Sequence, residues 1–180
     1  MAATREAGVS TLAWFQNPQL AVQTKADASP VTAADIAAEK ILSQRLLTAF
    51  PDDAFLGEET GCRPGSSGFE WVVDPIDGTK SFISGVPLYA TLVGCRREGV
   101  GVLGVIFMPA LDELVYATRG GGAWHQRGEA ARTPARVSSR TRLEDSLLCS
   151  SDFRDFRRRP AELDAAASGG QIRLDLEEAC

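Results

Sequence analysis

The run Trp71-Val72-Val73-Asp74-Pro75-Ile76-Asp77-Gly78-Thr79-Lys80-Ser81-Phe82 leaves the chain few ways to fold. Trp71 to Val73 are apolar and include two β-branched valines, which predicts a short buried strand. Asp74 closes that strand, and Pro75 stops further pairing because its ring fixes φ and removes the N–H donor. Asp77-Gly78 predicts a turn, since Gly78 tolerates backbone angles that other residues resist. Thr79 then reads as a helix N-cap. The unit is strand, tight turn, helix.

That unit also concentrates chemistry. Asp74 and Asp77 leave a strand end three residues apart, and such carboxylates repel unless a cation lies between them or one is protonated. Hard oxygen ligands suit Mg²⁺, which takes carboxylates together with water and substrate phosphate. A helix beginning at Thr79 aims N–H groups and a positive dipole end at the same spot, which suits phosphate. An ordinary Asx turn with solvated acids uses the same residues, so the motif alone leaves both readings open.

The run resembles the signature of the inositol monophosphatase family, Mg²⁺-dependent phosphomonoesterases. Two other segments carry the same resemblance: Lys25-Ala26-Asp27-Ala28-Ser29-Pro30-Val31-Thr32-Ala33-Ala34-Asp35, similar to K-x-D-x-S-P-V-T-x-A-D, and Gly57-Glu58-Glu59, similar to G-E-E. The resemblance implies that Glu58, Asp74 and the Ile76 carbonyl hold one Mg²⁺, and that Asp74 and Asp77 begin a second site. It implies phosphate binding by Asp77, Gly78 and Thr79, and a water oriented by Thr79 and Asp35 that attacks phosphorus in line, with no covalent phospho-enzyme. Lys25 is a further candidate, and Glu59 has a supporting or structural place. On local grounds Thr32-x-x-Asp35 is a capping box, a role Asp35 can combine with the other.

Gly78-Thr79-Lys80-Ser81-Phe82-Ile83, with Gly85-Val86-Pro87-Leu88-Tyr89 and the earlier Trp14-Phe15-Gln16, resembles the histidinol-phosphate phosphatase branch. The function this implies is hydrolysis of histidinol phosphate to histidinol and phosphate. Inositol-1-phosphate phosphatase is the alternative, as is a truncated, non-catalytic family member. The family pattern continues with a second half bearing a W-D-x-A-A motif. Asp164-Ala165-Ala166-Ala167 imitates that motif but lacks the tryptophan and comes too early, and the charged tail from Arg173 to Cys180 reads as a truncated or frame-shifted end.

At 180 residues with 44% hydrophobic and 24% charged content, the chain can bury a core of its own. A net charge of -5 argues against nucleic acid as a partner. Arg154 and Arg157 to Arg159 are interleaved with Asp152 and Asp155, a solvated face or small-anion contact. Cys62, Cys95, Cys149 and Cys180 lack C-x-x-C spacing, so reduced thiols in a cytoplasmic protein are expected. No apolar run has membrane length. The expected partners are a small phosphate ester and, across an uncovered sheet face, a second copy in a homodimer.

The rest of the pattern predicts an α+β fold with a mainly antiparallel sheet flanked by helices, and the resemblance implies that this is the N-terminal half of a layered α/β sandwich of the inositol monophosphatase type. Helices are expected over about residues 2–15 and from Thr32 to Pro51, the second with Ile36, Leu42, Leu46 and Phe50 near one face. Residues 61–68 read as a flexible connection. Strands are expected at 54–56, 88–96, 100–107, 113–118, 123–125 and 146–150, with a hairpin at Arg97-Glu98-Gly99. His125 has no triad partner in the pattern and is assigned a surface or packing role. The predicted division is residues 1–151 as the phosphatase domain and 152–180 as the beginning of the second half.

Overall fold

The computed structural model describes residues 1–25, 29–142 and 145. Two compact units divide at Ala135/Arg136. The first carries the sheet and helices. The predicted strand at 146–150, the Arg154 cluster and Asp164 lie outside the described residues.

Helix α1 (Ala2–Thr11) leads to strands β1 (Val22–Thr24) and β2 (Pro30–Thr32), which pair with each other. Helix α2 (Ala33–Ala49) follows directly. Strands β3 (Ala54–Gly57), β4 (Gly61–Arg63) and β5 (Phe69–Asp77) come next, then helix α3 (Thr79–Ile83). β6 (Ala90–Arg97), β7 (Val100–Met108), β8 (Glu113–Thr118), β9 (Gly122–Arg127) and β10 (Thr133–Pro134) complete the unit. One eight-stranded sheet runs in the order β10-β9-β8-β7-β6-β5-β3-β4. Its neighbours are antiparallel except β3 and β5, which are parallel. The predicted α+β class, with a mainly antiparallel sheet, is the observed one.

Both long helices supply side chains to one core. Ala7 of α1 and Ala38, Leu42 and Leu46 of α2 pack with Phe55, Trp71, Val73, Val93, Val105 and Phe107 of the sheet. The buried stripe of α2 repeats every four residues through Ala34, Ala38, Leu42 and Leu46, and Asp35 and Glu39 lie beside it. Small Ala34 and Ala38 let the helix lie close to its neighbours. The expected stripe was partly misplaced: Ile36 is 51% and Phe50 47% exposed. Six residues separate Ile36 from Leu42, which at 100° each turns Ile36 about 240° away.

Three further differences have simple causes. Residues 61–63 form β4 rather than a loose connection, because the turn before them is tied down by a side chain of α2. Strand β5 does not stop at Asp74 but continues through Pro75 to Asp77, because a bulge accommodates the proline. The N-cap of α3 is Gly78, at φ 89°, and Thr79 is its first helical residue. Cys95 is a free buried thiol, as expected, whereas Cys62 is disulfide-bonded. His125 is half-exposed, 4.0 Å from Glu113 Oε2. Among the described residues no helix is long and apolar enough to cross a membrane.

Candidate active site

The register of three strands explains why the acids meet. Parallel pairing sets Gly57 opposite Val73, so the next residues, Glu58 just past the end of β3 and Asp74 within β5, come side by side. Asp74 pairs with Leu92 and Asp77 with Ala90, three residues on β5 against two on β6. Side chains alternate faces along a strand, so residues three apart would normally diverge. The one extra residue in β5 restores the phase and brings Asp74 and Asp77 to the same face. Pro75 suits this position because no ladder donor is needed there. Its carbonyl accepts a hydrogen bond from the fully buried Thr91 Oγ1, at 2.9 Å.

Immediately beyond, Gly78 takes the left-handed conformation and passes close to the neighbouring chain: an added Cβ would lie 3.2 Å from the Leu88 carbonyl oxygen. Thr79 Oγ1 donates to the Ile76 carbonyl at 3.1 Å. Ile76 itself is buried with Ala34, Phe82 and Tyr89, which anchors the bend from beneath. Asp74 Oδ1 accepts the Ile76 N–H at 3.0 Å.

The electrostatics are those of crowded acids. Burial pushes the Asp74 carboxyl up to about 8, the Glu58 and Asp77 carboxylates add to the rise, and the Ile76 N–H opposes it. Asp77 is raised by burial and then by Glu58. Glu59 is raised by burial against the pull of Lys25. Asp35 is raised by burial, opposed by its bonds from Thr32, and Glu58 adds a further push. Lys25 supplies counter-charge: its Nζ lies 2.8 Å from Glu58 Oε1 and 2.8 Å from Glu59 Oε1.

The sequence-predicted residues thus fall into two groups. Lys25, Glu58, Asp74 and Asp77 share one electrostatic neighbourhood, with Ile76, Gly78 and Thr79 on its rim. Asp35 closes the capping box: its Oδ2 accepts from Thr32 N at 2.8 Å and Thr32 Oγ1 at 2.6 Å. The Thr79 hydroxyl, with which Asp35 is expected to orient a water, donates to the Ile76 carbonyl. Among the described residues no group of three or more His, Cys, Asp or Glu side chains stands at the spacing that holds a metal ion.

The residues nevertheless fit a hard divalent cation. Their donors are all oxygens, and the burial and like-charge crowding that raise Asp74 to about 8 are relieved by a proton or a cation. Sequence reasoning missed Glu39, which is 0% exposed and binds the turn that carries Glu58 and Glu59. The available signal was an acid one helical turn after Asp35, beside a stripe of alanine and leucine.

Comparison with known proteins assigns the chain to a family. The Inositol monophosphatase family matches residues 1–168. A histidinol-phosphatase of Chlorobaculum parvum is 48% identical over 119 residues, 66% of this chain and 46% of that protein. An inositol-1-monophosphatase of Rhizobium meliloti is 41% identical over 130 residues, 72% of this chain and 47% of that protein. Among solved structures, the extragenic suppressor protein suhB of Bartonella henselae superposes with a TM-score of 0.71 at 39% identity, covering 80% of this chain and 54% of that one. The Thermotoga maritima IMPase superposes with a TM-score of 0.70 at 26% identity, covering 94% and 70%. The fold is therefore that of a phosphatase family. The chain belongs to the inositol monophosphatase family. It spans about half the length of the curated relatives it matches.

Proposed function

We propose that this chain carries the metal and phosphate end of a Mg²⁺-dependent phosphomonoesterase acting on a small alcohol phosphate, with histidinol phosphate as the preferred substrate. The observation that carries the reading is the bulge in β5, which sets Asp74 and Asp77 on one face beside Glu58. The substrate choice is supported by relatives named histidinol-phosphatase at 48% and 40% identity. Inositol 1-phosphate is the second candidate, supported by the relative named inositol-1-monophosphatase at 41%.

Glu58, Asp74 and the Ile76 carbonyl would hold one Mg²⁺, and Asp74 with Asp77 would contribute to another. When bound, the cation supplies a lowered water pKa and neutralises phosphate charge. The chain's own groups do the positioning. Gly78 and Thr79 present backbone N–H groups to phosphate oxygens at the bend. Thr79 Oγ1, held by the Ile76 carbonyl at 3.1 Å, is placed to orient a water, and Asp35 keeps the start of α2 fixed nearby. Lys25 balances Glu58 and Glu59 and keeps the acid group compact.

The test is phosphate release from histidinol phosphate and inositol 1-phosphate by the 180-residue chain, with and without Mg²⁺, with Thr79→Ala as control. Mg²⁺-dependent release that the control loses supports the reading, and the faster ester names the substrate. No release from folded protein favours the non-catalytic alternative.

A further inference from the structure

Glu39 has no part in the chemistry proposed above, yet among the described residues few carboxylates are so tightly bound. It is 0% exposed, on the sheet-facing side of α2. Its Oε2 accepts the N–H of Glu59 at 2.8 Å, and its Oε1 accepts the N–H of Thr60 at 2.8 Å and the hydroxyl of Thr60 at 2.5 Å. All three donors belong to the turn between β3 and β4, whose first residue is Glu58.

The strand is shaped around this contact. A Cβ at Gly57 would overlap Glu39 Oε1, so glycine at 57 makes room for the carboxylate. Gly57 also pairs with Val73, the neighbour of Asp74. One side chain therefore reaches both the close point of the sheet and the backbone of the acidic turn. An aspartate is one methylene too short to span the gap. A glutamine has the right length, but its NH₂ group would face donors instead of accepting from them.

We propose that Glu39 is a positioning residue for the metal site: by holding the backbone of residues 59 and 60 it directs Glu58 toward Asp74 and Glu59 toward Lys25. The inference rests on the metal-site reading given above, and goes beyond it in assigning the aim of Glu58 to a side chain that touches neither cation nor substrate.

Four proteins test it: wild type, Glu39→Gln, Thr60→Val, which deletes only the hydroxyl donor, and Glu58→Gln, which removes the charge of the acid that the turn carries. Two readouts are needed. The first is amide hydrogen exchange without metal. Glu39→Gln should speed exchange at Glu59 and Thr60 by roughly tenfold or more, a local opening rather than a global one, with Phe55 unchanged. The second is Mg²⁺ affinity by calorimetry. Loss of an outer partner typically weakens a metal site by about 10–100-fold, which is the range expected for Glu39→Gln, with a smaller but measurable loss for Thr60→Val. Should Glu39→Gln fail to fold, Thr60→Val decides.

Faster exchange with unchanged Mg²⁺ affinity overturns the proposal, leaving Glu39 as a brace for the hairpin. Unchanged exchange overturns it as well, because the turn would then be set by other contacts. If wild type and Glu58→Gln titrate alike with Mg²⁺, the metal-site reading itself has failed and takes the positioning role with it.

Discussion

Glu39 reaches the turn after β3 from the helix-covered face of the sheet, while Asp74 stands on the opposite face at the bulge of β5. Both carboxylates serve neighbouring strand ends, and their surroundings differ in kind. Glu39 is met by two N–H groups and a hydroxyl. Asp74 is met by one N–H, from Ile76, and by the carboxylates of Glu58 and Asp77. A buried charge with its acceptors filled fixes a shape. A half-buried charge facing like charges is held in an unfavourable state that a proton or a cation relieves. Removing each acid should therefore move stability in opposite directions, and that contrast can be broken by measurement.

The largest effect is expected at Glu39→Ala. It removes three hydrogen bonds to a part-buried turn and empties a fully buried side-chain site, a loss of about 2–4 kcal/mol. Urea unfolding without metal measures it. A cost below about 1 kcal/mol would mean that water or a shifted turn replaces the carboxylate, and the contrast with Asp74 would collapse.

Asp74→Asn should leave metal-free stability unchanged or slightly raised, because it replaces a carboxyl that must take up a proton on folding and keeps the shape. Phosphate release should nonetheless fall by at least ~100-fold, since cation neutralisation of phosphate charge is worth several kcal/mol and each tenfold is about 1.4 kcal/mol. Parallel melting curves and phosphate assays decide it. A stability loss matching that of Glu39→Ala would show that the two acids do the same work.

The sequence made the Asp74 side of this contrast legible and the Glu39 side obscure, for a physical reason. Asp74-Pro75-Ile76-Asp77-Gly78-Thr79 is local: turn chemistry and charge crowding are written in consecutive residues. Glu39 acts through a distance of 20 residues in the chain, and a glutamate in a helix rich in Ala, Glu and Lys looks like a solvated one. The same divide holds for the fold. The hairpin at Glu98-Gly99 was readable from its turn residues, and both indeed have positive φ. The strand β4 was not, because Gly61, Pro64 and Ser66 resemble a loop until Glu39 ties the preceding turn. The bulge was hidden too. Pro75 was read as an end to pairing, whereas the sheet absorbs it and uses the extra residue to align Asp77 with Asp74.

A smaller effect concerns pH. A carboxyl whose folded pKa lies above its unfolded value, about 3.9 for Asp, favours folding while it keeps its proton. Its contribution is greatest below the unfolded pKa and is lost as pH rises through the folded one, which for Asp74 is about 8. Asp35, Asp77 and Glu59 are shifted in the same direction. With chelator present, the melting temperature of wild type should thus fall between pH 5 and pH 8, and Asp74→Asn should flatten that decline. Added Mg²⁺ should cancel most of it by replacing the proton. Parallel slopes for wild type and Asp74→Asn would remove crowding as the feature that separates Asp74 from Glu39.

The smallest effect tests the bulge itself. Thr91 is fully buried, and its hydroxyl donates to the Pro75 carbonyl at 2.9 Å, the oxygen at the midpoint of the register shift. Thr91→Val keeps the branched shape and removes the donor, so the Pro75 carbonyl is left without that bond at a cost of about 1–2 kcal/mol. Thr91→Ser restores the hydroxyl and should recover part of the loss. If the bond matters only to stability, phosphate release by folded Thr91→Val will match wild type. If it holds the extra residue in place, release will drop by a few fold while the Glu39-bound turn keeps its slow amide exchange at Glu59 and Thr60. That outcome would separate the two regions: the turn set by Glu39 from one face, and the alignment of Asp74 with Asp77 set by Thr91 through the strand.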